Sequence, residues 1–173
     1  MKGFLVRHTR VEIPPGLCYG RIDVALAPSF EAEAAAVRER LPWAPLQVWS
    51  SPAERCRRLA ERLTDATVRI DPRLAELSMG DWEGRRWDEI SGPVHSAWMA
   101  DPWGTRPPGG ESAEDLLARI EVLRAEVLAA RPERLLLVTH AGVIRAWRSL
   151  GERRPLPELF SEPVGFGSVT ALG

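Results

Sequence analysis

Leu135-Leu136-Leu137-Val138-Thr139-His140 is the stretch of this sequence that decides the fold. Its apolar residues follow one another without polar alternation, so an extended chain here has apolar side chains on both faces. Strands of this kind occupy the interior of a parallel sheet that helices cover on each side. We therefore predict a central strand here, with Thr139 and His140 at its carboxyl end.

Shorter apolar runs on both sides of this strand predict further strands, at Phe4–Val6, Leu46–Trp49, Thr67–Ile70 and Ser168–Leu172. Between the strands, apolar residues recur every three or four positions, as they do on amphipathic helices. These helical sets are Phe30, Ala34, Val37 and Leu41; Cys56, Leu59, Ala60 and Leu63; Leu116, Leu117, Ile120, Leu123 and Val127; and Val143, Ile144, Trp147 and Leu150. The alternation predicts a three-layer α/β/α fold on a mostly parallel sheet.

Two of the predicted helices carry capping signals at their start. Ser51 is placed to cap one of them, with Pro52 at its first position and Glu54 completing a capping box. Ser112 with Asp115 predicts the same kind of start for the next.

The length fits one domain, and we predict that residues 1–173 form a single unit. Between about residues 77 and 110 the periodicity gives way to Gly, Pro, Asp and Trp, and the tryptophans include Trp82, Trp87, Trp98 and Trp103. Two interpretations remain open for this irregular segment. It covers the functional site, or it is a surface insertion with its own aromatic cluster.

Charge and targeting signals exclude several classes of partner. The 23 basic and 24 acidic residues nearly cancel, so no broad positive field favours nucleic acid or an anionic membrane. The apolar run before Arg7 is too short for a signal peptide, and no run could span a bilayer, so we predict a cytoplasmic protein. Cys18 and Cys56 form no C-x-x-C pair and are predicted to be reduced, structural thiols.

The polar residues that follow the strands predict one functional rim. In open α/β sheets, ligands bind beyond the carboxyl ends of the parallel strands. His8 follows the first strand, Ser50 and Ser51 follow the second, and His140 follows the central one. Arg55 lies close behind Ser51, so we expect it near the same rim.

The residue types at this rim suit phosphoryl transfer. A neutral imidazole, His8 or His140, is a nucleophile near pH 7, and the paired N–H donors of Arg7 and Arg55 match phosphate oxygens. The helix N-termini that follow Ser51 and His140, the second of them at Ala141, add backbone donors. Glu76 can protonate a leaving oxygen and then activate water. Each residue alone is more often structural, and only their joint placement favours catalysis.

Five motifs occur in an order that resembles the histidine phosphatase superfamily, which has the phosphoglycerate mutase-like fold. The resemblance implies that His8 forms a phosphohistidine, that Arg7, Arg55 and His140 bind the phosphoryl oxygens, and that Glu76 donates the proton. Glu83 and Glu111 also lie in these motifs, and we assign them supporting roles. The motifs are Leu5-Val6-Arg7-His8-Thr9; Ser50-Ser51-Pro52 with Arg55; Leu74-Ala75-Glu76 leading into Gly80-Asp81-Trp82-Glu83-Gly84; Pro108-Gly109-Gly110-Glu111-Ser112; and Val138-Thr139-His140-Ala141-Gly142-Val143.

The chain departs from the commonest family pattern at two places. Thr9 replaces the usual Gly, and the segment Pro14–Arg21 lacks the usual Asn. The Thr and the Cys-Tyr-Gly-Arg run resemble the α-ribazole phosphatase branch of cobalamin biosynthesis. The chain is also shorter than classical phosphoglycerate mutases, which favours hydrolysis over mutase transfer.

Tyr19, Arg21 and the tryptophans of residues 82–103 are candidates for binding the organic part of a small phosphate ester, although core or surface roles fit them equally well. A broad-specificity phosphatase or a mutase of the same superfamily are the near alternatives. A nucleotide-binding module lacks its glycine motif, and a metal enzyme using His8, His95 and His140 lacks a zinc signature. We expect no metal and no cofactor. The sequence leaves the oligomeric state open, and a homodimer is compatible with it.

Overall fold

The computed structural model describes residues 2–173. The strands in this part of the chain are β1 (Lys2–Arg7), β2 (Val11–Glu12), β3 (Ala25–Leu26), β4 (Gln47–Ser50), β5 (Val68–Ile70), β6 (Arg134–Thr139) and β7 (Val169–Ala171). The α-helices are α1 (Phe30–Arg40), α2 (Glu54–Leu63), α3 (Pro93–Ala100), α4 (Ala113–Ala130), α5 (Ala141–Glu152) and α6 (Leu156–Phe160).

The main sheet has five strands in the order β5-β4-β6-β1-β7. β6 pairs in parallel with β1 and with β4, and β4 pairs in parallel with β5. Only the edge strand β7, within residues 2–173, runs antiparallel to its neighbour β1. The prediction of a mostly parallel sheet with residues 135–138 in its interior is confirmed.

Helices cover both faces of this sheet, which explains the unbroken apolar run of β6. Leu135 and Leu137 pack into a core that includes side chains of α4 and α5. Leu136 and Val138 pack into a second core with side chains of α1 and α2. All four residues are fully buried, and the three-layer α/β/α architecture is confirmed.

One of the two predicted helix starts is wrong. α2 begins at Glu54 and its N-cap residue is Ala53, while the backbone N–H of Glu54 donates to Oδ1 of Asp23 at 2.8 Å. Ser51 instead directs its hydroxyl at Nε2 of His140, 2.7 Å away. The other start is confirmed, because Ser112 and Asp115 form the reciprocal capping box of α4.

The segment predicted to be irregular is partly ordered into short helices. It contains 3₁₀ turns at Gly80–Trp82 and Trp87–Glu89 and the helix α3. The Trp82 ring packs edge-on against Trp98, with 5.5 Å between centroids, and a small core forms around Trp82. Leu77, Met79 and Trp87 also line the cavity of the site described below. The segment thus contributes side chains to the cavity wall and also forms an aromatic cluster of its own.

Sequence patterns did not predict the β2–β3 pair, α3 or α6, which are too short to show periodicity. The two cysteines are buried and free. Among residues 2–173, no helix is both long enough and apolar enough to cross a membrane.

Candidate active site

The carboxyl ends of β1, β4 and β6 meet at one rim of the sheet. The backbone N–H of His8 donates to the carbonyl of Thr139 at 3.0 Å, and that of Ser51 donates to Val138 at 2.9 Å. A cavity of about 230 Å³ opens at this rim. Its lining consists of His8, Leu17, Cys18, Tyr19, Gly20, Arg55, Glu76, Leu77, Met79, Trp87, His140, Gly142, Arg145 and Phe160. Four of the predicted catalytic side chains thus converge on one cavity.

His8 is held in the tautomer that a nucleophile requires. Its Nδ1 lies 2.8 Å from the carbonyl oxygen of Thr9, which can only accept, so Nδ1 carries the proton. Nε2 keeps its lone pair and forms no hydrogen bond with any described residue. Burial, with a further contribution from the charges of Arg55 and Arg7, lowers the pKa of His8 to about 3, although the Thr9 bond opposes the shift. The imidazole is therefore neutral near pH 7.

His140 lies beside His8, with 5.2 Å between the ring centroids. Its Nδ1 is 3.4 Å from an Nη2 donor of Arg55, so the proton of the neutral ring is on Nε2, which donates to Ser51. Burial and electrostatic coupling to the His8 ring, with a further contribution from the charge of Arg55, hold the pKa of His140 well below its usual value. Cys56 contacts the same ring at 3.5 Å, and burial raises the pKa of its thiol to about 12, so the thiol stays protonated.

Arg55 is a fully buried cation that forms no ion pair with any side chain of residues 2–173. Its Nη1 donates to Ile22 at 2.9 Å and its Nη2 donates to Gly20 at 2.7 Å, both to backbone carbonyls. Its Nε is buried and has no hydrogen-bond partner among the described residues. The guanidinium lies 5.4 Å from the centre of the Tyr19 ring. A buried cation in this state favours an anion in the adjacent cavity.

Arg7 is a second cation near His8, although it is not part of the cavity lining. Its Nη1 donates to the carbonyl of Val164, its Nε is buried without a partner, and its guanidinium stacks 3.9 Å from the centre of the Phe166 ring. Burial lowers the pKa of Arg7, while Tyr19 and Glu76 oppose the shift. The charges of Arg7 and Arg55 together make the surroundings of His8 attractive to phosphate.

Glu76 is fixed at both carboxylate oxygens. Oε1 accepts from the backbone N–H of Leu77 at 2.9 Å, and Oε2 accepts from that of Gly142 at 3.3 Å, in the first turn of α5. A 3₁₀ turn at Pro72–Leu74 lies between β5 and Glu76, and the Thr139 hydroxyl donates to the carbonyl of Leu74 in this turn at 2.7 Å. The proton-transfer candidate is thereby held against the strand that carries His140.

Of the predicted substrate-binding residues, only some reach the cavity. Tyr19 lines it, as do Arg55 and His140, but Ala141 and Arg21 do not. Arg21 instead donates through Nε to the backbone carbonyl of Glu76 at 2.9 Å and pairs with Glu111 at 2.7 Å. The prediction that Arg21 binds substrate therefore conflicts with its position behind the backbone of Glu76.

Arg145 and Phe160 line the cavity and were missed by sequence reasoning. The Arg145 guanidinium donates to Leu159 at 3.1 Å and to Glu162 at 3.0 Å, both backbone carbonyls, and lies 5.2 Å from the Phe160 ring centre. Burial lowers its pKa. The available signal was an arginine among the apolar residues in the first two turns of α5, a helix that starts at the rim.

His95 lies apart from the two site histidines. Its ring packs edge-on against Trp82 at 5.7 Å, and it is absent from the cavity lining. Within residues 2–173 no group of three or more His, Cys, Asp or Glu side chains is arranged to hold a metal ion.

Three comparisons bear on this site. The family model of the histidine phosphatase superfamily (branch 1) matches residues 4–173. The chain is 33% identical over 160 residues to glucosyl-3-phosphoglycerate phosphatase of Mycobacterium tuberculosis, covering 82% of this chain and 71% of that protein. It is 29% identical over 153 residues to adenosylcobalamin/alpha-ribazole phosphatase of Salmonella typhimurium, covering 83% and 76%.

The fold agrees with these matches. The native structure of mycobacterial glucosyl-3-phosphoglycerate phosphatase superposes with a TM-score of 0.84 at 29% identity, covering 98% of this chain and 88% of that one. The chain belongs to branch 1 of the histidine phosphatase superfamily, and it is a phosphatase.

Proposed function

We propose that this phosphatase hydrolyses small phosphate monoesters through a covalent phosphohistidine on Nε2 of His8. The observation that carries the proposal is the hydrogen bond from Nδ1 of His8 to Thr9, because it leaves Nε2 as an unprotonated lone pair at the cavity. The lowered pKa of His8, about 3, keeps that lone pair available across the physiological range.

In the first step, Nε2 forms a bond to phosphorus as the ester P–O bond breaks. Arg55 and Arg7 stabilise the charge on the transferring oxygens, and the His140 ring lies beside the attacking His8 ring. The departing alkoxide takes a proton from Glu76. In the second step, the water oxygen attacks phosphorus while Glu76 accepts a proton from that water. The N–P bond breaks, and its electron pair returns to Nε2 of His8. The products are an alcohol and phosphate.

For the organic part of the substrate, we propose α-ribazole phosphate. The aromatic and apolar cavity wall, which includes Tyr19, Trp87, Met79 and Phe160, suits a flat aromatic riboside. The similarity to the Salmonella enzyme supports the same substrate.

A phosphate ester that carries a carboxylate is a second candidate, and one observation favours it. Arg145 lines the cavity as a cation whose hydrogen bonds go to backbone carbonyls rather than to a carboxylate. An anionic substrate group would balance its charge. The similarity to the mycobacterial phosphatase agrees with this alternative.

Trapping of the intermediate tests the proposal. Protein mixed with a ³²P-labelled alkyl phosphate and quenched in alkali retains label that is lost in acid, as expected of phosphohistidine. His8→Ala removes both label and turnover, and His95→Ala keeps both. If His8→Ala still retains label, or still turns over the substrate, the proposal is overturned. A panel of monoesters that includes α-ribazole phosphate and 3-phosphoglycerate, ranked by kcat/KM, decides between the two substrates.

A transfer activity is distinguished in the same experiment. A mutase passes the phosphoryl group from the enzyme to a second alcohol, whereas a hydrolase releases inorganic phosphate. Unlabelled acceptor alcohols are therefore added to the reaction. A hydrolase still releases the label as inorganic phosphate, whereas a mutase transfers the label to the added alcohol.

A further inference from the structure

Three charged side chains outside the cavity surround the backbone of Glu76. They are Arg21 from the loop between β2 and β3, Glu111 from the loop before α4, and Arg119 from α4 itself. Arg21 pairs with Glu111 at 2.7 Å, and Nε of Arg119 pairs with the same oxygen at 3.1 Å. We call these residues the Glu111 cluster.

The Glu111 cluster donates to backbone oxygens of the segment that carries Glu76. Arg119 donates from Nη1 to the carbonyl of Arg73, and from Nη2 to Ala75 at 2.8 Å and to Glu76 at 3.2 Å. Arg21 donates from Nε to the same Glu76 carbonyl at 2.9 Å. One carbonyl therefore receives two guanidinium donors that belong to different parts of the chain.

Glu111 fixes the segment on the other side of Glu76. Its Oε2 accepts from the backbone N–H of Ser78 at 3.2 Å, and its own N–H donates to the Ser78 carbonyl at 2.9 Å. Burial alone raises the pKa of Glu111, but the hydrogen bond and charge of Arg119, with the charge of Arg21, hold the pKa below its usual value. Glu111 thus stays ionised between its two cations near pH 7.

The contacts of the Glu111 cluster bear on the geometry of proton transfer. In the described part of the chain, the hydrogen-bond partners of the Glu76 carboxylate are the backbone N–H groups of Leu77 and Gly142, so its position follows the position of its own backbone. Guanidinium donors in fixed planes position a backbone more closely than a single ammonium does. Small misplacements of a catalytic group from residues away from the chemistry cost about 10²-fold in rate.

We propose that the Glu111 cluster positions Glu76 for proton transfer to the leaving group, with Arg119 and Arg21 as positioning residues rather than substrate ligands. The inference rests on the proposed function, in which Glu76 is the acid. It assigns the site-adjacent Arg21 to the backbone of Glu76 and not to the phosphate ester.

The experiment compares leaving groups. Glycerol 3-phosphate needs a proton on departure, and p-nitrophenyl phosphate does not. Arg119→Gln and Arg21→Gln should each lower kcat for glycerol 3-phosphate by about ten-fold or more. This loss is a part of the rate enhancement of about 10²–10⁴-fold that general acid catalysis provides. The KM for glycerol 3-phosphate and the rate with p-nitrophenyl phosphate should stay nearly unchanged. Arg119→Lys recovers only part of the loss. Arg124→Gln, a matched change on the same helix with no bond to residues 73–78, leaves both rates unchanged.

Glu76→Gln separates failure of this inference from failure of the proposed function. If Glu76→Gln slows both substrates equally, the acid role itself is wrong. If Glu76→Gln shows the leaving-group difference and Arg119→Gln does not, the positioning inference is wrong. In the double variant, Arg119→Gln adds no further loss to Glu76→Gln, because the group that it positions is gone. A rise in KM for Arg21→Gln would instead assign Arg21 to substrate binding.

Discussion

The backbone N–H of Gly142 donates to Oε2 of Glu76 at 3.3 Å, and a Cβ at Gly142 would overlap Oε1 of the same carboxylate. The first turn of α5 therefore provides both a donor for the proposed acid and the space that the acid occupies. His140, the N-cap residue of α5, is two positions before Gly142. One helix start thus sets the relative position of Glu76 and His140.

Gly142→Ala should impair catalysis without weakening the fold. Alanine favours a helix over glycine by up to about 1 kcal/mol, so the helix itself is not destabilised, but the added methyl displaces the Glu76 carboxylate. We expect kcat for glycerol 3-phosphate to fall by about ten-fold or more, with thermal denaturation at the wild-type temperature or above. Gly151→Ala, on the same helix, is the control and keeps wild-type kcat. Wild-type turnover by Gly142→Ala would show that Glu76 does not need its present position.

The stability of the fold should depend on pH through His8. Its pKa is about 3 in the folded chain and 6.5 when unfolded, so below pH 6.5 the unfolded chain binds a proton that the folded chain does not. This contribution is complete above pH 6.5 and is lost as pH falls toward 3. At pH 5 the loss amounts to about 2 kcal/mol.

Urea unfolding at pH 7.5 and pH 5 measures this dependence. His8→Asn can keep the bond to Thr9 but has no titrating ring. Between pH 7.5 and pH 5, the decrease in its free energy of unfolding should therefore be about 2 kcal/mol smaller than the decrease in the wild type. Equal losses in both proteins would mean that His8 titrates normally in the fold.

Local patterns were sufficient for the sheet but not for the charged residues. The central strand could be predicted because residues 135–138 are apolar on both faces, and burial on both faces is a property of the run itself. The rim followed from the rule for parallel strands, which brought His8 and His140 together before any contact was known.

The misassigned residues depend on partners far along the chain. Ser51 has the sequence of a helix cap, yet its hydroxyl contacts His140, which is 89 residues away in sequence. Arg21 faces the backbone of Glu76, and Arg145 faces the cavity. An arginine side chain is long enough that its partner is determined by tertiary packing, so the sequence assigned Arg21 to the wrong partner and gave no assignment for Arg145.

Ser51→Ala and Ser112→Ala should therefore differ in their effects. Ser112→Ala removes a helix cap, which costs about 1 kcal/mol, and should leave activity unchanged. Ser51→Ala leaves a buried N–H of His140 without its partner, which costs about 1–3 kcal/mol and also frees the ring next to His8. Unfolding free energies and kcat values measured side by side test the difference. Unchanged kcat in Ser51→Ala would mean that this bond does not orient the site.

Arg145→Gln should separate the two candidate substrates. 3-Phosphoglycerate and glycerol 3-phosphate differ by one carboxylate, so the ratio of their kcat/KM values reports the recognition of that group. Hydrogen bonds to charged groups contribute about 1.5–3 kcal/mol, which corresponds to a loss of about 10- to 100-fold for 3-phosphoglycerate in Arg145→Gln. Glycerol 3-phosphate and p-nitrophenyl phosphate should change little, because neither carries a carboxylate. Arg148→Gln removes the same charge from the same helix, where Arg148 pairs with Glu152, and should leave the ratio at its wild-type value. If Arg145→Gln also leaves the ratio unchanged, the cavity does not select a carboxylate. If the wild type and Arg145→Gln then both hydrolyse α-ribazole phosphate efficiently, the aromatic riboside is the better assignment.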